Sequence, residues 1–310
     1  MPDQNSIVIL GVFVADTAYR AARAPRMGET ILGTGFKLGP GGKGSNQAVA
    51  AAKVGGKVTF ITKLGEDPFA EMALATWKEA GVTPAVTRVP DSYTGAAYIF
   101  VEDGTGNNAI IVCPGAAATI GVRDIEAKAD LIKSAAVFVT QLEQPLDAAL
   151  RALEIAKSAG VTTILNPAPA APLDDRFFSL CDYVTPNETE ATELTGVKVD
   201  SVDSARAAAN ILLKKGAAAA IITLGEAGAL LHSDRRSEMI PAFKVAPVVE
   251  TTGAGDAFNG GFAAALARGM APMAAVRFGC AVAGISVTRP GTAPSMPSLA
   301  EVEAVLAGSR

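Results

Sequence analysis

Histidine, cysteine and aromatic residues are scarce in this chain, and each scarcity removes a class of function. The one histidine, His232, leaves no Ser-His-Asp machinery unless that residue supplies it, and a surface loop is its expected place. Cys113, Cys181 and Cys280 are odd in number and far apart, which fits neither a disulfide framework nor metal-site spacing. A reducing cytoplasm is the expected compartment. No apolar run reaches the roughly 18 residues that would span a bilayer. Residues 1–6 lack the basic and apolar regions of a signal peptide. There is no basic run either: the net charge is −4 with signs interspersed, which argues against a nucleic-acid or anionic-membrane partner. Aromatics make up only 5% against 49% hydrophobic residues, so the core is built from Ala, Val, Leu and Ile, as in a helix-covered sheet. A chain of 310 residues is ample for one large α/β unit.

What is present is organised around residues 249–266. Thr252-Gly253-Ala254-Gly255 is too glycine-rich for an element interior, while the following Ala-rich stretch places Phe258, Phe262 and Leu266 on one helical face. Asp256 therefore falls in the first turn of a helix opened by a glycine turn. Backbone N–H groups there have no intrahelical partner, and the helix dipole favours negative charge. Asp256 is either an ordinary helix-start carboxylate or a base held beside a bound anion.

Residues 7–14 form a continuous apolar run of strand length, and Asp16 follows it. An acid at the C-terminal end of a buried strand lies where open α/β sheets bind ligands; the other reading is an exposed acid. Residues 17–40 and 93–112 are polar, turn-rich and locally alternating, and together suggest a small β-sheet appendage, a lid or a subunit interface. Between them Gly39-x-Gly41-x-x-Gly44 formally matches a dinucleotide fingerprint, but no buried strand leads into it. Lys43 is followed by Gly44, which excludes a Walker A loop. What remains is a glycine turn presenting N–H groups, Lys43 and Asn46 at a helix start, suited to hydroxyls or an anion. Strands at 58–62, 136–139, 161–165 and 219–223 alternate with helices at 68–80, 146–158, 188–195 and 202–215, which implies parallel βαβ units. Polar residues follow these strands: Gln141 and Glu143, Asn166, Asn187 to Glu190, and Thr223 to Glu226. The expected fold is one α/β domain over residues 1–310. It is a three-layer α/β/α sandwich with a mostly parallel central sheet plus a small β-sheet lid.

Gly41-Gly42-Lys43-Gly44-Ser45-Asn46-Gln47-Ala48 and Thr251-Thr252-Gly253-Ala254-Gly255-Asp256-Ala257-Phe258 resemble the two signatures of the ribokinase-like (phosphofructokinase-B type) sugar kinases. Residues 165–170, 184–190 and 286–295 resemble further stretches of that family, in order. The resemblance implies transfer of the ATP γ-phosphoryl to the terminal CH₂OH of a pentose, D-ribose first. Asp256 would be the base, and the N–H groups of Gly253, Ala254 and Gly255 the anion hole. It assigns Asp16, Gly42, Lys43, Asn46 and Glu143 to the sugar, and Asn187, Thr223, Gly225, Gly228 and Gly255 to ATP. It links Asn187 and Glu190 to Mg²⁺. A monovalent cation, K⁺ by expectation, falls to Glu250, Thr252, Ser286, Arg289, Gly291 and Ser295. It also implies a homodimer through the lid.

Three positions depart from the family pattern. Val14 stands where an asparagine is usual, two residues before the sugar-binding aspartate, which brings a sugar lacking one hydroxyl, such as 2-deoxyribose, into view. Glu250 stands in place of an aspartate at the cation site, and Cys280 in place of a more polar residue on the nucleotide side, where it reads equally as a small buried helix residue. The alternatives are a fructose-type or nucleoside kinase, a nucleotide-binding dehydrogenase resting on Gly39-x-Gly41-x-x-Gly44, and a catalytically silent sugar sensor.

Overall fold

The computed structural model describes residues 5–308. From the N-terminus, β1 (Ser6–Leu10) lies inside a large sheet, whereas β2 (Val14–Ala21) and β3 (Gly35–Gly41) belong to a small one. The chain returns through α1 (Lys43–Lys53), β4 (Lys57–Leu64), α2 (Pro68–Ala80) and β5 (Thr83–Arg88). It then completes the small sheet with β6 (Thr94–Glu102) and β7 (Asn108–Gly115). Next come α3 (Val122–Glu126), α4 (Ala129–Ser134), β8 (Val137–Thr140), α5 (Leu146–Ser158), β9 (Thr162–Leu165), α6 (Asp175–Ser179) and β10 (Tyr183–Val184). After α7 (Glu188–Thr195), α8 (Val202–Lys214) and β11 (Ala219–Thr223), the hairpin β12 (Ala229–Ser233) and β13 (Arg236–Ile240) ends the large sheet. Helices α9 (Ala254–Ala267), α10 (Pro272–Ser286) and α11 (Leu299–Gly308) close the described chain. The large sheet has the order β13-β12-β11-β10-β9-β8-β1-β4-β5, parallel except at its hairpin edge. The small sheet has the order β3-β2-β6-β7.

The apolar runs read as strands because alternate residues feed two separate cores. Ile7 and Ile9 of β1 join the core that includes Phe258 and Phe262 of α9, while Val8 and Leu10 join the core under α5 and α8. In β11, Ile221 goes to the first and Ile222 to the second. This makes the expected three-layer arrangement: α1, α2, α9, α10 and α11 on one face, α3 to α8 on the other.

Several expectations need correction. Residues 7–14 are not one strand. Pairing stops at Leu10, because Gly11 brings the chain against the start of α1, where a Cβ on Gly11 would sit 2.7 Å from the Gly44 Cα. Burial continues through Ala15, so hydrophobicity marks enclosure beyond the point where the ladder ends. Asp16 consequently lies on β2 of the small sheet, not at the end of a central strand. The small sheet is wider than residues 17–40 and 93–112, running from Val14 to Gly115, with no strand between residues 22 and 34. Helix α1 begins at Lys43, so Lys43 and Asn46 stand in its first turn. His232 is no loop residue: it lies buried on β12, with Nε2 3.1 Å from Asn210 Oδ1. Cys280 is buried in α10, as a small helix residue would be.

Candidate active site

The strand ends of the large sheet and two glycine turns meet at one edge. Gly42, in the left-handed region at φ 87°, is the N-cap of α1; Gly253, at φ 81°, is the N-cap of α9, and neither helix has a side-chain cap. The helices pack closely enough that a Cβ on Gly260 would come within 2.6 Å of the Ala50 Cβ. Their first turns therefore face the same space. Lys43, Asn187, Glu190, Thr223, Gly255 and Asp256 line one cavity there.

Asp256 is only 8% exposed and accepts at both oxygens. Asn46 Nδ2 donates to Oδ2 at 3.0 Å and Gln47 Nε2 to Oδ1 at 3.1 Å. Burial pushes its carboxyl above the ordinary carboxylate range, opposed by the Lys43 charge and by these two hydrogen bonds. The N–H of Ala254 donates to the Thr251 carbonyl at 3.1 Å. Those of Gly253, Gly255 and Asp256 meet no acceptor among the described residues, and a Cβ built on Gly255 would meet nothing within 4 Å beyond its chain neighbours and its own helix. This helix start leaves backbone N–H groups without acceptors at the end where the dipole favours negative charge.

Beside it, Glu143 Oε2 accepts from the Lys43 N–H at 2.8 Å. Burial pushes Glu143 up to about 7 despite the Lys43 charge and that hydrogen bond. Asp16 is pushed up to about 6, first by burial and then by the charges of Asp256 and Glu250. A Cβ on Gly41 would fall 2.2 Å from the Asp16 carboxylate, so the glycine there makes room for it. Asn46 Oδ1 is buried with no partner.

On the other side, Asn187 and Glu190 cap α7 reciprocally: Asn187 Oδ1 accepts from the Glu190 N–H at 2.8 Å, and Glu190 Oε2 from the Asn187 N–H at 2.9 Å. One Glu190 oxygen remains, and burial raises that carboxyl. Gly225 lies in the turn after β11, and Gly228 opens the β12 hairpin, where a Cβ would strike the Ile240 carbonyl at 2.0 Å. Backbone packing thus already requires a glycine at 228. The strand entering Gly39-x-Gly41-x-x-Gly44 is β3, largely exposed and antiparallel to β2, which is the wrong context for a dinucleotide fingerprint.

The expected cation residues fall on the loop before α9 and on the end of α10 with the segment after it, and the two are tied together. Val249 and Glu250 donate their N–H groups to the Val287 carbonyl, and Glu250 Oε2 accepts from the Gly291 N–H at 2.8 Å. Ser295 Oγ donates to the Thr292 carbonyl, Ser286 Oγ to that of Ala283, and the Arg289 guanidinium pairs with Glu301. Thr252 is exposed in the turn before Gly253. Thr292 Oγ1 reaches back to the Pro40 carbonyl at 2.8 Å, joining this loop to the α1 turn.

Four polar residues around Asp256 had no assigned role from sequence: Gln47, Gln141, Asn166 and Asn259. Asn166 Nδ2 donates to the Thr185 carbonyl, and Asn259 Nδ2 to that of Gly255. Their signal was a polar side chain after a strand or inside an apolar helix, which carries no information about the partner.

A sequence model of the pfkB family carbohydrate kinases matches residues 4–299. The chain belongs to that family. It is an ATP-dependent sugar kinase. A deoxyribokinase of Salmonella typhimurium is 40% identical over 295 residues, 94% of this chain and 96% of that protein. A ribokinase of Haemophilus influenzae is 38% identical over 299 residues, covering 96% and 97%. The Arabidopsis thaliana ribokinase structure complexed with ribose and ATP superposes with a TM-score of 0.91 at 30% identity, covering 97% of this chain and 98% of that one. No helix among the described residues is long and apolar enough to cross a membrane.

Proposed function

We propose that the protein phosphorylates the terminal CH₂OH of a pentose with ATP, D-ribose first, and that Asp256 is the base. The observation that carries this reading is the buried Asp256 carboxylate, held by two amide donors beside N–H groups left open for an anion. As the hydroxyl oxygen bonds to the γ-phosphorus and the bond to the ADP oxygen breaks, the hydroxyl proton passes to Asp256. The N–H groups of Gly253 and Gly255, with Ala254 sharing its own with Thr251, stabilise charge on the moving phosphoryl. Asp16, Gly42, Lys43, Asn46 and Glu143 hold the sugar; the unpartnered Asn46 Oδ1 awaits a hydroxyl donor. Asn187, Thr223, Gly225, Gly228 and Gly255 serve ATP.

Mg²⁺ fits the donor set. The free Glu190 oxygen is a hard ligand, and no cluster of three or more His, Cys, Asp or Glu residues among the described ones forms a protein-only cage. The ion would then keep waters and phosphate oxygens as ligands and neutralise phosphate charge when bound. The tied segments carrying Glu250, Thr252, Ser286, Arg289, Gly291 and Ser295 fit a monovalent cation, K⁺ by this reading. One Glu250 oxygen is committed to Gly291 and one is left over.

The chain works as a single kinase unit with the small sheet as its lid, in the cytoplasm. Alternation along β2 turns Asp16 towards the site and Tyr19 away from it. Tyr19, Phe36 and Tyr98 cluster on the outer face, with Tyr19 43% and Phe36 61% exposed. A second copy of the chain covers that face in a homodimer.

A second reading, 2-deoxyribose, is favoured by Val14. It is 3% exposed, pairs with Gly41, and brings no polar group to the sugar side of β2. ADP release from Mg-ATP with ribose, 2-deoxyribose, fructose and a nucleoside, each with and without K⁺, separates the readings. Asp256→Asn is the control. Turnover of ribose selects the first reading, turnover of 2-deoxyribose alone the second, and silence with both pentoses overturns the pentose assignment.

A further inference from the structure

Behind the Gln47 donor to Asp256 runs a row of amides whose order the phosphoryl-transfer reading leaves unexplained. Gln47, on the second turn of α1, is fully buried. Both hydrogens of its amide are committed, one to Asp256 Oδ1 at 3.1 Å and one to Asn166 Oδ1 at 3.0 Å. Its Oε1 accepts from Gln141 Nε2 at 2.7 Å. Gln141, immediately after β8, is also fully buried, and its own Oε1 has no partner. That oxygen sits in a slot between two glycines. A Cβ on Gly11 would lie 2.5 Å from it, and one on Gly44 2.7 Å.

The row has one self-consistent direction. An ionised carboxylate only accepts, so it turns the Gln47 NH₂ towards itself. The Gln47 carbonyl then faces Gln141 and requires an NH₂ there. Turning Gln141 over would set two carbonyl oxygens at hydrogen-bond distance. Turning Gln47 as well would set its carbonyl against both the Asp256 carboxylate and Asn166 Oδ1. The arrangement leaves a buried acceptor unsatisfied at the far end, which costs stability. An unsatisfied end is not what packing alone selects. It is what remains when donors must point at Asp256.

Resting on the reading of Asp256 as the base, we propose that Gln47 is a positioning residue that holds the Asp256 carboxylate ionised and aimed. Gln141, seated in the Gly11–Gly44 slot, orients Gln47. The need is electrostatic. The charged groups facing Asp256 are Lys43 of α1, which favours its ionised form, and Asp16 of β2, Glu143 after β8 and Glu190 of α7, which oppose it. Asp16 in turn feels Glu250. Neutral amides stabilise the carboxylate without adding a charge. Each holds one oxygen and leaves that oxygen's other lone pair for the sugar proton.

The test compares Gln47→Met, Gln141→Met, the double variant and Asp256→Asn. The probe is Mg-ATP with D-ribose or 2-deoxyribose, whichever the parent turns over faster, and thermal melting serves as the fold check. Methionine keeps length and volume and removes the hydrogen bonds. Gln47→Met is expected to lower kcat about 10- to 100-fold, as for loss of a hydrogen bond to a charged group. Sugar KM should stay nearly unchanged, and the acid limb of the kcat profile should move to higher pH. Gln141→Met should do the same more weakly. The double variant should be no worse than Gln47→Met, because Gln141 acts only through Gln47.

Additive losses, a loss confined to KM, or an unmoved acid limb in folded Gln47→Met would overturn the proposal. Should Gln47→Met fail to fold, the acid limb of Gln141→Met decides alone, shifted in support or unshifted against. Turnover retained by Asp256→Asn is a different failure: it removes the base reading itself.

Discussion

Gly42 and Gly253 occupy the same backbone position at the starts of two helices packed side by side, and the structure finishes the two starts differently. At α1 the protein supplies the acceptors: Glu143 takes the Lys43 N–H at 2.8 Å and the Val12 carbonyl takes that of Ser45 at 3.3 Å. The space is closed as well, since a Cβ on Gly42 would meet the Val12 carbonyl at 2.5 Å. At α9 the N–H groups of Gly253 and Gly255 have no acceptor among the described residues, and Gly255 faces open space. One start is a cradle already neutralised by a carboxylate, fit for a neutral polyol. The other is left positive, fit for a transferring phosphoryl. On the proposed reading, similar local physics serves two chemistries because of what the surrounding strands bring to each turn.

The sharpest break is at the proposed base. Asp256→Asn should lower kcat by about 10²–10⁴ while leaving ATP binding by titration calorimetry in place, because general base catalysis is what the amide cannot supply. Next comes a matched pair of alanines. Gly255→Ala meets nothing in the fold and should leave the melting temperature unchanged, yet put a methyl group into the phosphoryl space, costing on the order of 10²-fold in kcat. Gly42→Ala needs a left-handed φ and strikes backbone, so it should destabilise by about 1–3 kcal/mol in chemical denaturation. Equal stability losses for the two alanines would refute the contrast between an open and a closed turn.

The α9 turn was legible in sequence because its signals are local: glycines, an acid in the first turn, and an apolar face at helical spacing. The central strands were legible because each residue is buried on one side or the other. Strand β5 was not, since Pro84 and its polar neighbours mark an edge strand with little apolar pattern. The run through Val14 misled because enclosure and ladder pairing part company at Gly11. His232 misled for the opposite reason, a polar residue buried within a strand with its Nε2 paired to Asn210. The polar row behind Asp256 was out of reach: Gln47 and Asp256 are 209 residues apart, and no periodicity encodes such a pair.

The carboxylate at the α1 turn can be removed without removing its acceptor. Glu143→Gln keeps an oxygen for the Lys43 N–H and deletes the charge, so kcat/KM for the sugar should fall about 10-fold at pH 8, with kcat less affected. On the proposed sugar-binding role, Glu143 near 7 and Asp16 near 6 must ionise in the parent to accept fully from sugar hydroxyls. Its kcat/KM should therefore decline as pH falls through 7 and again through 6. Glu143→Gln should lose the upper of these steps, and a variant that keeps both would place the titration elsewhere.

The smallest effect concerns the unliganded protein. Asp16 and Glu143 hold their protons to higher pH folded than unfolded, so between the unfolded values near 4 and the folded ones near 6 and 7 the native state binds more protons. Stability contributed by these groups is complete below about 4 and is lost as pH rises through 6 and 7. Asp67, Asp124 and Glu301 run the other way, with carboxyls held low by hydrogen bonds or by Lys63 and Arg289, but their stability is lost only as pH falls below the ordinary carboxylate range. The two windows do not overlap. Melting temperature should therefore decline gently from pH 5 to 7.5, and Glu143→Gln should flatten the upper part of that decline. At α9 the open N–H groups carry no titrating partner of their own beyond Asp256, so Gly255→Ala should leave the slope as it is. A slope changed by Gly255→Ala and not by Glu143→Gln would mean that the uncompensated charge sits at the phosphoryl turn rather than in the sugar cradle.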